Sequence, residues 1–512
     1  MYRRHRMSDA ERCATWWTRA PWALAITLAA CAVVYGFALG AGGLANSEAH
    51  RVAPAWAMLD GGGWIVPKLF EQEYLRKPPG APWSIAATSL VFGQNAVGAR
   101  AASAIAATLT ALIAAGFSRR WFGPAAMLPA GLAAALMPWM WAFGRSAEIE
   151  ALNQFGVALA CFGAIDIARA SAVSSRLGPL GASASIVGVA ILLFAKGPAG
   201  VGVVIATTVA ACICVRIARV KVVSQTLIAW GIGAAPFAAW VYAASQEVAS
   251  DAVTQSPSAF MWSDPLNEIA SFPVLAWVSA MPAALAMLFP WGGDAKAEAA
   301  GTRRTVELSI AKAVCLAWVF SVVSLVALGV GNPRYALPAA ALVPPVVGYA
   351  IAQFRAGMTP KRQVIARMML LGHGLVWPVV LMSGFFAYAR FVEAPIRATS
   401  GEVAGVAFAE ALRAQVDEGP VVIAADGAIE ARPEVLLALQ HAWSKSAGDG
   451  PRLRVVWRPG IASNPEQIRG AWLLLRYDEL DDEVTPLEKW IADEPILVRD
   501  VHRYRLTLYR SR

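Results

Sequence analysis

The chain has 512 residues, of which 57% are hydrophobic and only 15% charged, whereas a soluble domain is nearer a quarter charged. Lys and Arg outnumber Asp and Glu by 44 to 35, but the excess lies in short loops between apolar runs, which argues against a nucleic-acid face and for a membrane. The six cysteines (Cys13, Cys31, Cys161, Cys212, Cys214 and Cys315) suggest neither a disulfide scaffold nor a metal cluster.

Apolar stretches separated by short charged loops run from Ala23 to about Ala389, and from Arg390 onward the chain reads as soluble protein. The first run, Ala23–Ala41, is too long for a signal-peptide core, so it is expected to stay as a membrane helix. A spanning helix needs ~20 mostly apolar residues. Further candidates lie at 98–117, 123–143, 151–168, 180–195, 198–215, 223–244, 272–290, 308–330, 336–354 and 367–389. The expected fold is therefore an α-helical polytopic membrane protein with about eleven transmembrane helices. Residues 1–389 form its membrane domain and residues 390–512 a small C-terminal α/β domain.

Charge orients the helices. Arg3, Arg4, Arg6, Arg12 and Arg19 precede the first one, and alternate loops carry Arg119 and Arg120, Arg169 and Arg176, then Arg216, Arg219 and Lys221. Further along, Lys296, Arg303 and Arg304 continue the pattern, as do Arg355, Lys361, Arg362 and Arg367. With basic loops inside, the N-terminus is expected to be cytoplasmic and the C-terminal domain to lie outside the inner (plasma) membrane. The first outer loop, 44–97, mixes charges with aromatic, Pro and Gly residues. Its stretches WIVPKLF and PWSIAATSLVFG suit helices lying along the membrane surface. In the terminal domain, Glu402–Val416 and Glu434–Trp443 read as helices, and PVVIAAD, LRVVW, AWLLLRY and RYRLTLYR as strands.

Ionisable residues near membrane depth are functional candidates by default. Four clusters and one further pair stand out, all on the expected outer side. The clusters are Ser47-Glu48-Ala49-His50-Arg51; Lys77 before Pro78 and Pro79; Arg145 with Glu148 and Glu150; and Lys196 before Gly197 and Pro198. The pair is Arg334-Tyr335. Each has a bland reading as a solvated collar, a hairpin tip or a snorkelling lysine. Together they set Arg and Lys beside a few carboxylates on one face. That chemistry suits a lipid-borne phosphate bound by cations, with a carboxylate to deprotonate an attacking hydroxyl.

The ordered set Glu48, GGGWIVP (61–67), YLRKPP (74–79), VFG (91–93), ARAAS (99–103), GRSAEIE (144–150), AKGP (195–198) and NPRYALP (332–338) resembles the GT-C superfamily of membrane glycosyltransferases. More narrowly, it is similar to the bacterial relatives of protein O-mannosyltransferases and of the lipid A aminoarabinose transferase. The resemblance covers about residues 20–340. It implies a polyprenyl-phosphate-linked sugar donor and an inverting transfer to a hydroxyl of a glycolipid, glycan or protein. On that mapping Glu48 and Glu150 are the catalytic candidates, and Arg51, Lys77, Arg145, Lys196, Arg334 and Tyr335 bind the donor's phosphate or sugar. Two positions depart from the family pattern: Ser47 stands where an Asp is usual, and Glu150 replaces an Asp. Glu48 and His50 are two candidate metal ligands without a recognisable spacing, so no cofactor is assigned. Alternative readings are a lipid-linked glycan flippase or a catalytically degenerate homologue that only binds lipid-linked sugar.

Overall fold

The computed structural model describes residues 20–44, 47–70, 72–173, 178–215, 219–247, 276, 283–284, 286–287, 302–327, 333–355, 377–395, 401–415, 421–425, 433–447, 453–457, 471–478, 494–501 and 504–510. The membrane part is helical. It opens with α1 (Ala20–Gly36), α2 (Ala49–Leu59), α3 (Gly80–Phe92) and α4 (Ala96–Phe122). There follow α5 (Met127–Ala135), α6 (Pro138–Phe143), α7 (Glu150–Val173), α8 (Pro179–Lys196), α9 (Val201–Cys214) and α10 (Arg219–Glu247). The last are α11 (Thr302–Ala327), α12 (Leu337–Ala340), α13 (Pro344–Arg355) and α14 (Trp377–Tyr388).

Among the described residues, six helical stretches are long and apolar enough to cross a membrane, and α1 at 17 residues is a shorter apolar helix. Local signals set their ends. Asn95 caps α4 by accepting hydrogen bonds from the Val97 and Gly98 amides, and Arg119 and Arg120 occupy its last turn. The span expected over 123–143 is broken instead. Pro138 starts α6 and holds Met137 extended, because a proline has no amide to donate and its ring disfavours a helical residue before it. The span expected at 272–290 lies largely outside the described residues; Ala276, Ala283, Ala284, Ala286 and Met287 from it are buried in the main apolar core.

The apolar stretch Pro179–Cys214 reverses at Gly197, whose φ is +64°. Both halves pack on α7. A Cβ on Gly163 would sit 2.5 Å from the Ser185 amide nitrogen of α8, and Thr207 of α9 donates to the Cys161 sulfur at 3.2 Å. Glycines at such a crossing let two backbones approach within van der Waals range.

The segment 44–97 differs in part from the sequence expectation. The stretch WIVPKLF does not form a helix. Pro67 interrupts it, and Lys68–Leu69 pairs antiparallel with Gln72–Glu73 (β1 and β2) around Phe70, whose φ is +58°. The stretch PWSIAATSLVFG falls mostly in a helix, α3, and a further helix, α2, begins just after Glu48.

The terminal domain joins α15 (Gly401–Arg413) and α16 (Pro433–Ala447) to five strands: β3 (Val421–Ala425), β4 (Leu453–Trp457), β5 (Trp472–Asp478), β6 (Leu497–Val501) and β7 (Tyr504–Arg510). Their order is β4-β3-β5-β7-β6, parallel at β4-β3-β5 and antiparallel beyond. β6 was not expected from sequence. A second apolar core runs from this domain into the first outer loop, uniting Phe408, Leu412, Leu436 and Leu439 with Leu44, Val52, Ala53 and Trp56. Trp56 also meets His441 at 5.4 Å between ring centroids. The terminal domain and the segment 44–97 therefore lie on one face of the membrane domain.

Replacing Gly163 by Val places a branched side chain against the α8 backbone. The expected result is a loss of about 1–3 kcal/mol, from overpacking, read as a lower denaturation midpoint of the protein in lipid.

Candidate active site

The site is assembled on a buried ion pair. Arg100 on α4 is fully buried and Glu48 nearly so. The guanidinium donates from Nε to Glu48 Oε1 at 2.8 Å and from Nη2 to Oε2 at 2.9 Å. Its remaining donors reach the Leu39, Ala41 and Gly43 carbonyls at 3.1, 3.2 and 2.6 Å. Glu48 Oε1 also accepts from the Ala147 amide at 2.8 Å. One bidentate, charge-assisted pair thus pins the end of the first helix, the start of α2 and the 144–149 loop together.

Around this frame the cations converge. The turn after Lys77 abuts the end of α8, so closely that a Cβ on Gly80 would sit 2.6 Å from the Phe194 carbonyl oxygen; any side chain there would push the two lysine-bearing turns apart. Lys196 donates to Glu150 Oε1 at 2.9 Å and lies 4.5 Å over the Tyr335 ring. The Arg334 guanidinium is 5.5 Å from the same ring. Arg51 donates to the Tyr74 hydroxyl at 3.2 Å. Burial lowers the Lys77 ammonium below the ordinary lysine range, and the charges of Lys196, Arg51, Arg334 and Arg76 lower it further. Five cations therefore share one neighbourhood, and an anion placed among them relieves their repulsion.

A carboxyl stands beside the cluster. The Ser47 hydroxyl donates to Glu148 Oε1, and Ser103 donates to the Glu148 carbonyl at 3.1 Å. Burial pushes the Glu148 carboxyl up to about 7, with Glu150 and Glu48 adding to the effect and Arg51 and Ser47 opposing it. A group poised there changes protonation near neutrality, as a general base requires.

The structure brings Arg51, Lys77, Glu150, Lys196, Arg334 and Tyr335 together. Two candidates have other engagements. Arg145 donates from Nε to both Glu393 oxygens at 3.1 and 3.0 Å and from Nη1 to the Val34 carbonyl at 2.7 Å. It thereby ties the 144–149 loop to the π-helical turn Ala389–Glu393, which carries the last membrane helix past Arg390. Glu48 is the anchor of Arg100. As both its oxygens are engaged, it cannot ligate a metal beside His50 without opening that pair. Among the described residues no group of three or more His, Cys, Asp or Glu side chains could hold a metal ion. His50 instead stacks on Tyr74 at 6.3 Å. Sequence reasoning quoted Arg100 only within ARAAS and gave it no role, and it did not foresee the Ser47–Glu148 contact. The signal for Arg100 was a lone arginine within an apolar helix. For Ser47–Glu148 there was none, since 101 residues separate the partners. Asp166, at the opposite end of α7, is fully buried and paired with Arg120 at 2.8 Å.

The fold and this site define a class. Residues 76–242 match the family model for dolichyl-phosphate-mannose-protein mannosyltransferase, a stretch that contains Lys77, Arg100, Glu148, Glu150 and Lys196. The particular relatives are narrower. The chain is 41% identical over 91 residues to an undecaprenyl phosphate-alpha-4-amino-4-deoxy-L-arabinose arabinosyl transferase of Pseudomonas savastanoi pv. phaseolicola. It is 35% identical over 113 residues to a second transferase of that name from Pseudomonas fluorescens. The aligned stretches span only 17% and 19% of those relatives' lengths. In fold the likeness extends across the molecule. The crystal structure of ArnT from Cupriavidus metallidurans bound to undecaprenyl phosphate superposes with a TM-score of 0.60 over 97% of this chain and 98% of that one, at 15% identity. Its apo form superposes with a TM-score of 0.61. The chain thus shares the fold of these ArnT structures, and part of its sequence is similar to the aminoarabinose transferases.

Removing Glu48 would leave the Arg100 charge buried and uncompensated. Glu48→Ala is expected to cost about 3–5 kcal/mol, and the double variant Glu48→Ala with Arg100→Met distinctly less than the sum of the single changes. Chemical denaturation of the four proteins of this cycle checks both.

Proposed function

We propose that the protein is an inverting glycosyltransferase that moves a sugar from a polyprenyl-phosphate carrier onto a hydroxyl of an envelope acceptor, on the outer face of the inner membrane. The observation that carries this reading is the group of Lys196, Arg51, Arg334 and Arg76 around Lys77, with the half-buried carboxyl of Glu148 beside it. The similarity to transferases named for undecaprenyl-phosphate donors supports it. The basic ends of α4 and α7 support the orientation, since Arg119, Arg120 and Arg169 lie at the ends opposite the site.

In this mechanism the cations hold the donor's phosphodiester. The acceptor oxygen attacks the anomeric carbon from the face opposite the phosphate and forms the new glycosidic bond. The bond from that carbon to the phosphate oxygen breaks, and its electron pair leaves with the polyprenyl phosphate. Lys77, Lys196, Arg51 and Arg334 neutralise the charge that develops on the departing phosphate. The acceptor's proton passes to Glu148, whose ionised form is populated near and above pH 7. Glu150 orients Lys196. Glu48 holds the frame, and Ser47 shares its hydrogen with Glu148. The acceptor is a glycolipid, a glycan or a protein hydroxyl.

Purified protein in lipid, incubated with a panel of undecaprenyl-phosphate sugars, is expected to release undecaprenyl phosphate in an acceptor-dependent reaction. Measurable donor binding without release from any member would point to a carrier or a degenerate homologue instead. Glu148→Gln is expected to slow release by roughly 100-fold or more, the usual scale for a lost general base. The turnover rate should fall about tenfold per pH unit below about 7, because protonating Glu148 removes the base. Ser47→Ala withdraws a hydrogen bond that favours the carboxylate, so it should move that limb to higher pH. Lys77→Gln is expected to weaken undecaprenyl phosphate binding by about tenfold, the scale of one charge-assisted contact, measured by titration in nanodiscs.

A further inference from the structure

The first turn of α7 carries three buried acceptor oxygens that the described residues leave without a hydrogen-bond partner: Glu150 Oε2, Asn153 Oδ1 and Gln154 Oε1. The three residues are 3%, 2% and 1% exposed. Residues three and four apart share one face of a helix, so the three oxygens belong to a single surface. Its neighbours are known. Glu150 Oε1 takes the Lys196 hydrogen at 2.9 Å. A Cβ on Gly200 would lie 3.3 Å from Asn153 Oδ1. Gln154 Nε2 donates to the Leu337 carbonyl at 3.1 Å, which leaves its amide oxygen turned from that carbonyl. The surface therefore lies between the turn that follows Lys196 and the turn that holds Arg334 and Tyr335.

Buried polar atoms without partners are uncommon because each has lost its water for nothing in return. Three acceptors within one helical turn, next to a cluster of cations, form a surface that recognises hydrogen-bond donors. A phosphate offers only oxygens there and is repelled by the Glu150 carboxylate. A sugar ring offers several hydroxyl donors. The two halves of the site thus complement the two halves of a lipid-phosphate sugar, phosphate toward Lys77 and Arg51, glycosyl ring toward α7.

We infer that Glu150, Asn153 and Gln154 form the subsite for the hydroxyl groups of the transferred sugar, with Asn153 and Gln154 acting as sugar-binding residues. This rests on the function proposed above. It makes affinity for the loaded carrier exceed affinity for the bare one, through residues that take no part in holding the phosphate.

The test measures binding of two probes to the full-length protein in nanodiscs. One is undecaprenyl phosphate, and the other is the best-bound member of a panel of glucosyl, mannosyl, arabinosyl and 4-amino-4-deoxyarabinosyl undecaprenyl phosphates. The wild type is expected to prefer the loaded carrier by about tenfold or more, the worth of one or two hydrogen bonds. Asn153→Leu and Gln154→Met, near-isosteric changes that remove the acceptors, should abolish that preference and leave the affinity for undecaprenyl phosphate unchanged. Asn153→Asp, which keeps an acceptor, should retain the preference and serves as the folded control. If the leucine and methionine variants still prefer the loaded carrier, or merely gain thermal stability as after loss of a buried water, the subsite assignment is overturned. If the wild type binds neither lipid, the proposed function itself fails, an outcome separate from failure of the subsite.

Discussion

The pairing of Glu48 with Arg100 organises the end of the membrane domain that carries the candidate site. A guanidinium without exposure survives beside a membrane only when every donor finds an oxygen, and here they go to one carboxylate and three backbone carbonyls. The carboxylate in turn receives the Ala147 amide. Segments far apart in sequence are fixed to one point, and Ser47 and Glu148 come into contact as a result. A residue type that reads as a catalytic acid thus serves as the hub of a scaffold, while the base proposed above is a carboxyl two residues before the start of α7.

The cations are presented by a repeated device. Lys77 is followed by Pro78-Pro79, Lys196 by Gly197-Pro198, and Arg334 is preceded by Pro333. Proline removes backbone freedom and glycine admits conformations closed to other residues, so each charge sits on a turn with few alternatives. Gly80 lets two of these turns touch. Repulsion among the cations is the cost of the arrangement, and an anion placed among them would relieve it. On the α7 side the polarity reverses to acceptors, and the site has a cation half and a donor-seeking half.

The terminal domain adds a cover with a shared core. Its helices pack on α2, the helix that begins beside Glu48 and carries Arg51 and Trp56. Arg145 makes a second tie, through Glu393, between the 144–149 loop and the end of the last membrane helix. Both couplings run from the terminal part of the chain to the segments that frame the candidate site, so its geometry depends on residues more than three hundred positions from Glu48.

Much of this was legible in the sequence because it depends on local composition. Apolar length decides which segments are helices in lipid, and alternating apolar periods marked the helices and four of the five strands of the terminal domain. Pro and Gly flagged the turns that bear Lys77, Lys196 and Arg334. What composition could not decide was the partner of each charge. Glu48, Glu148 and Glu150 are the same residue type within similar surroundings in sequence. Only the packed structure assigns the first to Arg100, leaves the second with Ser47 and gives the third to Lys196. The break at Pro138 and the strand turn at Phe70 were readable locally, but their effect on a span and a surface helix followed from packing. Pairing is a property of distances between remote segments, and in a low-dielectric interior those distances set whether a carboxylate is a structural anchor, a neutralising partner or a base near neutrality.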